Sequence, residues 1–195
     1  LAVAAGEFTA IAGPSGSGKS TLLNIIGTLD KATAGSVVYD GRDVSGLSEA
    51  DLADFRLRSL GFVFQAYNLI PVLSAAENVE YVLALQGVPR SERRARALEA
   101  LAQVGLVAEA DRRPDLLSGG QQQRVAVARS IVHRPMVVLA DEPTANLDSK
   151  TAETLLELMQ GLNRDHGVTF LFSSHDPRVL SRARRVVIIE DGRLA

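Results

Sequence analysis

The feature that most constrains this chain is a glycine-rich run, Gly13-Pro14-Ser15-Gly16-Ser17-Gly18-Lys19-Ser20. It follows the apolar segment Phe8–Ala12, which is typical of a short strand, and it precedes a helical pattern over Lys19–Gly27. The glycines permit positive φ angles, so backbone N–H groups can close around phosphate oxygens, and the positive end of the following helix faces the same anion. Lys19 adds a point charge there, and the Ser20 hydroxyl can bind Mg²⁺. The run therefore predicts a phosphate-binding loop, called the phosphate loop below, between a strand and a helix.

A second part of the same site is predicted where an apolar strand ends in acid. Met136–Ala140 is a strand-sized apolar run, and Asp141 and Glu142 follow it directly. Alone this pattern is weak, since many strands end in a solvated carboxylate. Together with a phosphate loop, it predicts that Asp141 holds the magnesium shell and that Glu142 lies near an attacking water.

Short apolar runs alternate with helical patterns along the chain, which predicts an α/β fold with a mostly parallel sheet. Polar alternation is absent from the three runs nearest the C-terminus, as expected for strands that are buried on both faces. These runs are Met136–Ala140, Thr169–Ser173 and Val186–Ile189. Besides Phe8–Ala12, the predicted strands are Ser36–Tyr39, Gly61–Phe64, Met136–Ala140, Thr169–Ser173 and Val186–Ile189.

An inserted α-helical subdomain is predicted for residues 66–135, because helical patterns replace the strands there. We therefore expect a single domain, 1–195, whose core comprises residues 1–65 and 136–195. The predicted helix starts are two capping boxes, Ser74 with Glu77 and Ser118 with Gln121, and Ser91, whose helix would stop at Gly105.

Composition and charge exclude several classes of protein. The 195 residues carry a formal net charge of −2, which argues against a broad nucleic-acid-binding surface. There is no cysteine, so disulfides and thiolate metal sites are excluded. No apolar run approaches the roughly 18 residues that span a bilayer. If the protein works at a membrane, we expect another polypeptide to span it.

The phosphate loop does not name the reaction, because kinases, GTPases, helicases and transport ATPases share it. The segment Leu117-Ser118-Gly119-Gly120-Gln121, called the signature segment below, resembles the signature of ATP-binding-cassette (ABC) ATPases, and Gln122–Ala126 extend the resemblance. The other family elements follow in the expected order. Gln65 resembles the Q-loop glutamine, Pro143–Asp148 the D-loop, and His175 the switch histidine.

The resemblance covers the whole chain and implies a P-loop core with two ATP molecules in a head-to-tail homodimer. Each ATP would lie between the phosphate loop of one subunit and the signature segment of the other. The implied catalytic residues are Glu142, which orients or deprotonates water, with His175 and Lys19 at the phosphates. The implied magnesium ligands are Ser20, Gln65 and Asp141. The implied ATP-binding residues are Gly13, Pro14, Ser15, Gly16, Ser17, Gly18, Lys19, Ser20, Thr21 and Gln65, with Ser118, Gly119, Gly120, Gln121 and Asp148 acting across the dimer.

Several strings are similar to the lipoprotein-release and macrolide-export group of this family. That similarity implies a separate transmembrane permease as partner and a location on the cytoplasmic, inner face of the cell membrane. The net charge leads us to expect no nucleic-acid partner, and the ABC resemblance implies that Gln65 relays the nucleotide state to the permease. The strings are Leu60–Gln65, Asn68–Pro71, Glu77–Val79 and Ala140–Thr144.

Two other classes remain as alternatives. A soluble ABC-type ATPase acting on DNA or ribosomes would predict a coiled-coil insertion, zinc cysteines or tandem cassettes, and a kinase or GTPase would not need the signature segment. The family also stacks adenine on an aromatic residue well upstream of the phosphate loop. Phe8, only five residues before Gly13, cannot take that role. Because the sequence begins with Leu1 rather than Met, we expect the N-terminal antiparallel β part of the fold to be truncated.

Overall fold

The computed structural model describes residues 1–195. Two short 3₁₀ turns, Val107–Glu109 and Pro114–Leu116, lie between the fourth and fifth helices. In chain order the elements are β1 (Phe8–Ala12), α1 (Lys19–Ile26), β2 (Val38–Tyr39), β3 (Arg42–Asp43), α2 (Glu49–Ser59), β4 (Leu60–Val63), α3 (Ala75–Leu85), α4 (Arg90–Gln103), α5 (Gly119–Ile131), β5 (Val137–Asp141), α6 (Ser149–His166), β6 (Phe170–Ser174), α7 (Pro177–Leu180), β7 (Arg185–Glu190) and β8 (Arg193–Leu194).

A six-stranded sheet in the order β4-β5-β6-β1-β7-β8 carries the phosphate loop and the acidic pair, Asp141 and Glu142. All neighbouring pairs are parallel except β7 and β8, so the predicted mostly parallel sheet is confirmed. Ala12 pairs with Ser174, and Asp141 pairs with Ser173. Since parallel strands end at the same edge, the phosphate loop and the acidic pair both leave the sheet at its carboxyl edge, where α/β proteins bind ligands.

Helices cover both faces of this sheet, and two hydrophobic clusters form the core. The larger cluster has 28 buried residues and joins side chains of α3, α4 and α5 to those of β1, β6 and α6. Its aromatic centre is Phe8, whose ring centroid lies 5.6 Å from that of Phe170 and 4.9 Å from that of Phe172. The smaller cluster, of 10 residues, lies on the other face with α1 and α2. The helical segment therefore shares one core with the sheet.

Both predicted capping boxes are present, at Ser74 with Glu77 and at Ser118 with Gln121. The prediction that Ser91 begins a helix is wrong by one residue. The helix α4 begins at Arg90, and its N-cap is Pro89, whose extended backbone delivers the chain into the first turn without a side-chain hydrogen bond. Helices α2, α6 and α7 were not predicted from the sequence, although α6 is the longest helix of the protein.

Two strand predictions also need correction. Val186–Ile189 is not fully buried, because β7 has only the short β8 beyond it and leaves Val186 43% and Ile188 45% exposed. The run Ser36–Tyr39 does not join the main sheet; Val38–Tyr39 pairs with β3 in a separate two-stranded hairpin. Phe8 is 1% exposed, so its ring is unavailable to a nucleotide, as expected from its position in the strand.

None of the seven helices combines the length and the apolar character that a membrane span requires.

Close approach of α5 to β4 depends on Gly61. A Cβ atom at this position would overlap the carbonyl oxygen of Ser130 in α5 and lie 3.0 Å from a methyl group of Val138. We therefore expect Gly61→Ala to lower the free energy of unfolding by about 1–3 kcal/mol, because backbone atoms must move apart. Urea unfolding of both proteins measures this difference.

Gly46→Ala is the matched control. A Cβ atom at Gly46 would meet nothing within 4 Å, and its φ is not left-handed. This variant should be as stable as the parent or slightly more stable, since alanine restricts the unfolded chain. Equal unfolding midpoints for the two variants would contradict the close-packing account of Gly61.

Candidate functional site

The phosphate loop connects the carboxyl end of β1 to the first turn of α1. Gly16 has φ +80° and Gly18 has φ +102°, a left-handed conformation in which glycine is favoured. Gly18 is also the N-cap of α1, and no side chain caps this helix. The first N–H groups of α1 therefore lack a side-chain acceptor, which leaves them free for an anion.

The Lys19 side chain folds back onto the phosphate loop. Its side chain is nearly buried, and its Nζ donates hydrogen bonds to the carbonyl oxygens of Gly13 and Pro14, at 2.9 Å each. An ammonium group has three donors, so one remains for a ligand. The Ser17 hydroxyl oxygen is buried without a hydrogen-bond partner, and a Cβ atom at Gly13 would overlap the carbonyl oxygen of Ile189. A tightly closed loop with an unused buried hydroxyl fits a bound phosphate group.

Ser20, Asp141 and Ser173 bring three oxygen-bearing side chains together at the carboxyl edge of the sheet. The Ser20 hydroxyl donates to Asp141 Oδ1 at 3.1 Å, and the Ser173 hydroxyl donates to the same atom at 2.6 Å. Ser173 Oγ also accepts the backbone N–H of Glu142 at 2.9 Å. Ser173 is fully buried, and it thereby orients both acidic residues.

Glu142 and His175 form a second contact beside this cluster. Glu142 Oε1 lies 2.7 Å from His175 Nδ1. The Glu142 side chain is 17% exposed, whereas that of His175 is 66% exposed. Glu142 has φ +45°, a left-handed conformation that is rare outside glycine and is common at functional sites. The pair joins a largely shielded carboxylate to an imidazole that is open to solvent.

Gln65 makes no hydrogen bond with Ser20 or Asp141. Its Nε2 donates to Asn146 Oδ1 at 3.3 Å, and Asn146 Nδ2 donates to the Gln65 carbonyl oxygen at 3.0 Å. Asp148 is the N-cap of α6 and accepts the backbone N–H groups of Lys150 and Thr151 at 3.1 Å each. A hydrogen bond from the Thr151 hydroxyl, followed by these N–H groups, holds the pKa of Asp148 below its usual range.

The signature segment starts α5 and lies away from the phosphate loop. Ser118 is exposed, and its hydroxyl accepts the backbone N–H of Gln121 at 3.3 Å. A Cβ atom at Gly119 would lie 2.9 Å from the Tyr67 hydroxyl, and one at Gly120 would overlap the side chain of Thr151. Gly119 thus packs against the loops after β4 and β5, and Gly120 packs against the first turn of α6. The chain itself does not bring this second helix N-terminus to the first.

Sequence reasoning missed three residues of the site: Ser173, Asn146 and Gln123. Gln123 is fully buried and donates to the carbonyl oxygen of Pro143 at 2.6 Å. Ser173 and Gln123 lie inside a strand and a helix where apolar residues are expected, which is the one signal that could have identified them. Asn146 has no such signal, because it lies in a polar turn.

Comparison with known proteins identifies the family to which this chain belongs. Residues 1–145 match the family model described as ABC transporter. The chain therefore belongs to the ATP-binding domains of ABC transporters, which are ATPases, as the sequence analysis predicted.

Individual relatives are similar over all of this chain and most of their own length. The chain is 50% identical over 194 residues to the uncharacterized ABC transporter ATP-binding protein YvrO of Bacillus subtilis, covering 100% of this chain and 84% of that protein. It is also 50% identical over 194 residues to the lipoprotein-releasing system ATP-binding protein LolD of Bordetella avium, with the same coverage. A solved dimeric structure of the ATP-binding cassette MJ0796, in a post-hydrolysis state bound to ADP and Pi, has a TM-score of 0.89 at 46% identity and covers 100% of this chain and 85% of that one. These similarities confirm the predicted fold class.

The contacts of Ser173 predict a role in ATP hydrolysis. Ser173→Ala removes one hydrogen bond to the Asp141 carboxylate and leaves the Glu142 N–H without its acceptor. A hydrogen bond to a charged group contributes about 1.5–3 kcal/mol, so kcat should fall roughly tenfold to a hundredfold. Steady-state ATPase assays measure the loss. Ser130→Ala is the control, since this buried hydroxyl donates only to Val127 of its own helix; a similar loss in both variants would contradict the prediction.

Proposed function

We propose that this chain is the ATP-binding and ATP-hydrolysing subunit of an ABC transporter, and that it powers conformational change in a separate membrane subunit. The observation that carries the proposal is the contact between Glu142 and His175 beside the phosphate loop. A shielded carboxylate that is held by an imidazole suits a group that must orient and deprotonate water.

The phosphate groups of ATP would lie in the phosphate loop. The unused N–H groups at the start of α1 and the third donor of Lys19 would bind their oxygen atoms. Thr21, in the first turn of α1, contributes to the same anion site. His175 would contact the γ-phosphate from the exposed side of Glu142. We assign catalytic roles to Glu142, His175 and Lys19 on these contacts.

A magnesium ion fits the oxygen atoms of Ser20 and Asp141, which lie 3.1 Å apart. Mg²⁺ prefers hard oxygen ligands and usually keeps several waters or substrate phosphates besides one or two protein ligands. When bound, the ion would neutralise charge on the β- and γ-phosphates. Gln65 is the third proposed ligand; its side chain would have to leave Asn146 to serve the ion.

We propose that two copies of the chain share each ATP. The signature segment has an exposed serine and a helix N-terminus suited to an anion, yet its neighbours are Tyr67, Leu147 and Thr151 rather than the phosphate loop. The signature segment, with Asp148, would therefore close the site of a second copy. The dimeric form of the similar cassette MJ0796 supports this arrangement.

The membrane partner is proposed from the similarity to LolD of Bordetella avium, which is named as part of a lipoprotein-releasing system. We infer a transmembrane subunit as partner, a location at the inner face of the cell membrane, and no nucleic-acid partner. In this proposal residues 66–135 form the part that responds to the nucleotide through Gln65. Helix α3 within it exposes Tyr81 and Leu85 one turn apart, at 45% and 56%, as an apolar contact surface would.

The first test of this function changes Glu142 alone. Glu142→Gln should keep ATP binding and lose turnover, because the change removes the proton acceptor and leaves the phosphate loop intact. Trapped ATP should then hold the variant as a dimer. ATP hydrolysis rates and gel filtration with ATP measure both effects. Hydrolysis near the parent rate would remove Glu142 from the mechanism.

A second test addresses the shared site by mixing two inactive variants. Lys19→Ala spoils the phosphate loop, and Ser118→Arg fills the signature segment with a bulky cation. Each homodimer should be inactive, since every site then contains one spoiled half. A mixed dimer contains one site with both halves intact, so ATPase activity should return in proportion to the heterodimer formed.

The same mixture has a second readout in case turnover requires both sites. Adding Glu142→Gln to both chains slows hydrolysis, and ATP-driven dimer formation can then be followed by gel filtration. Neither activity nor an ATP-dependent dimer, with both variants folded, would count against the shared site. If each chain completed its own site, mixing the two inactive variants would restore no activity.

A further inference from the structure

The buried amide of Gln123 connects two loops of the site to α5. Its side chain is 0% exposed, and its Nε2 donates to the carbonyl oxygen of Pro143 at 2.6 Å. The same nitrogen lies 3.5 Å from the carbonyl oxygen of Phe64. Pro143 directly follows Glu142, and Phe64 directly precedes Gln65. One amide thus contacts the backbone beside both residues.

The environment of the Gln123 amide is unfavourable for a polar side chain. Gln123 Oε1 is buried without a hydrogen-bond partner, although an unsatisfied buried polar atom is destabilising. Val125, Val127 and Ala128 of the same helix are fully buried apolar residues, so an apolar side chain would suit the position. The adjacent Gln122 differs, because its amide donates to Leu117 at the start of its own helix and is half-buried.

Glu142 needs support from its surroundings. Its left-handed φ of +45° is strained for a side chain of this kind and persists only where neighbouring contacts hold it. The Ser173 hydroxyl accepts the N–H of Glu142 at 2.9 Å, on one side of the residue. The hydrogen bond from Gln123 to Pro143 holds the backbone on the other side.

We propose that Gln123 is a positioning residue for ATP hydrolysis, which acts by holding the backbone on which Glu142 is placed. The inference rests on the proposed role of Glu142. Because Gln123 follows Ser118 by five residues on the same helix, a displacement of α5 carries the amide with it and moves Pro143. The residue therefore connects the signature segment, which would contact one ATP, to the carboxylate that would act on the other.

Gln123→Met tests this role, because methionine has a similar length and volume but donates no hydrogen bond. Since small misplacements of a catalytic group can cost up to a hundredfold in rate, we expect kcat to fall about 10- to 100-fold. The dissociation constant for ATP should change less than about twofold, because the phosphate loop makes no contact with Gln123. Gln86→Met is the matched control, since the Gln86 amide also ties two elements together, by donating to the Leu57 carbonyl oxygen at 2.9 Å, and lies outside the site.

A double-mutant cycle separates positioning from a general loss of structure. If Gln123 acts through Glu142, then adding Gln123→Met to Glu142→Gln should lower the residual hydrolysis less than about twofold, since coupled residues are not additive. A further loss equal to that of the single Gln123→Met variant would overturn the inference. If Gln123→Met does not fold by circular dichroism, Gln123→Asn replaces it, because the shorter amide cannot reach Pro143 from the same backbone position.

The outcomes distinguish this inference from the function on which it rests. Parent-like kcat in Gln123→Met, with Glu142→Gln inactive, would overturn the role of Gln123 and leave the proposed function standing. Near-parent turnover in Glu142→Gln would overturn the proposed catalytic role of Glu142, whereas absence of ATP hydrolysis in the parent protein would overturn the proposed function itself. Weakened ATP binding in Gln123→Met, without a change in kcat, would also contradict a positioning role.

Discussion

Parallel pairing of β5 with β6 and of β6 with β1 is the constraint on which the site depends. The register places Asp141 beside Ser173 and Ala12 beside Ser174, so three strands end together at one edge. Asp141 then meets Ser20 from α1, although the two residues are far apart in the chain. A shift of one residue in this register would turn the Ser173 hydroxyl to the other face of the sheet, because side chains alternate along a strand.

Several buried polar groups of the protein lie around this edge. Lys19 and Ser173 are nearly or fully buried, and each uses its donors or acceptors on the loops that carry the site. Two side-chain oxygens there, of Ser17 and Gln123, are buried without partners. A buried polar atom without a partner lowers stability, so these two atoms fit a site that is not optimised for stability alone.

The fold separates two helix N-termini that can each bind an anion. One follows the phosphate loop at Gly18, and the other follows Ser118. The second packs through Gly119 against the loops after β4 and β5 and through Gly120 against α6, and neither glycine leaves room for a side chain. This packing fixes the signature segment to the same backbone that carries Gln65 and Glu142. A second chain at the signature segment would thereby be mechanically connected to the acidic pair.

Local patterns in the sequence determined the phosphate loop, both capping boxes, the strand β1 and the acidic pair, because each depends on neighbouring residues and on simple preferences of glycine, serine and apolar side chains. The ABC family followed from the same local strings. Only the tertiary structure decided which of three consecutive glutamines extends into the core. Gln121 caps its helix, Gln122 donates to the Leu117 carbonyl just before that helix, and Gln123 donates to the Pro143 carbonyl. The tertiary structure also decided that Ser173 faces Asp141, that Gln65 contacts Asn146, and that β7 is partly exposed. These outcomes depend on strand register and helix orientation, which bring together residues that are distant in the chain.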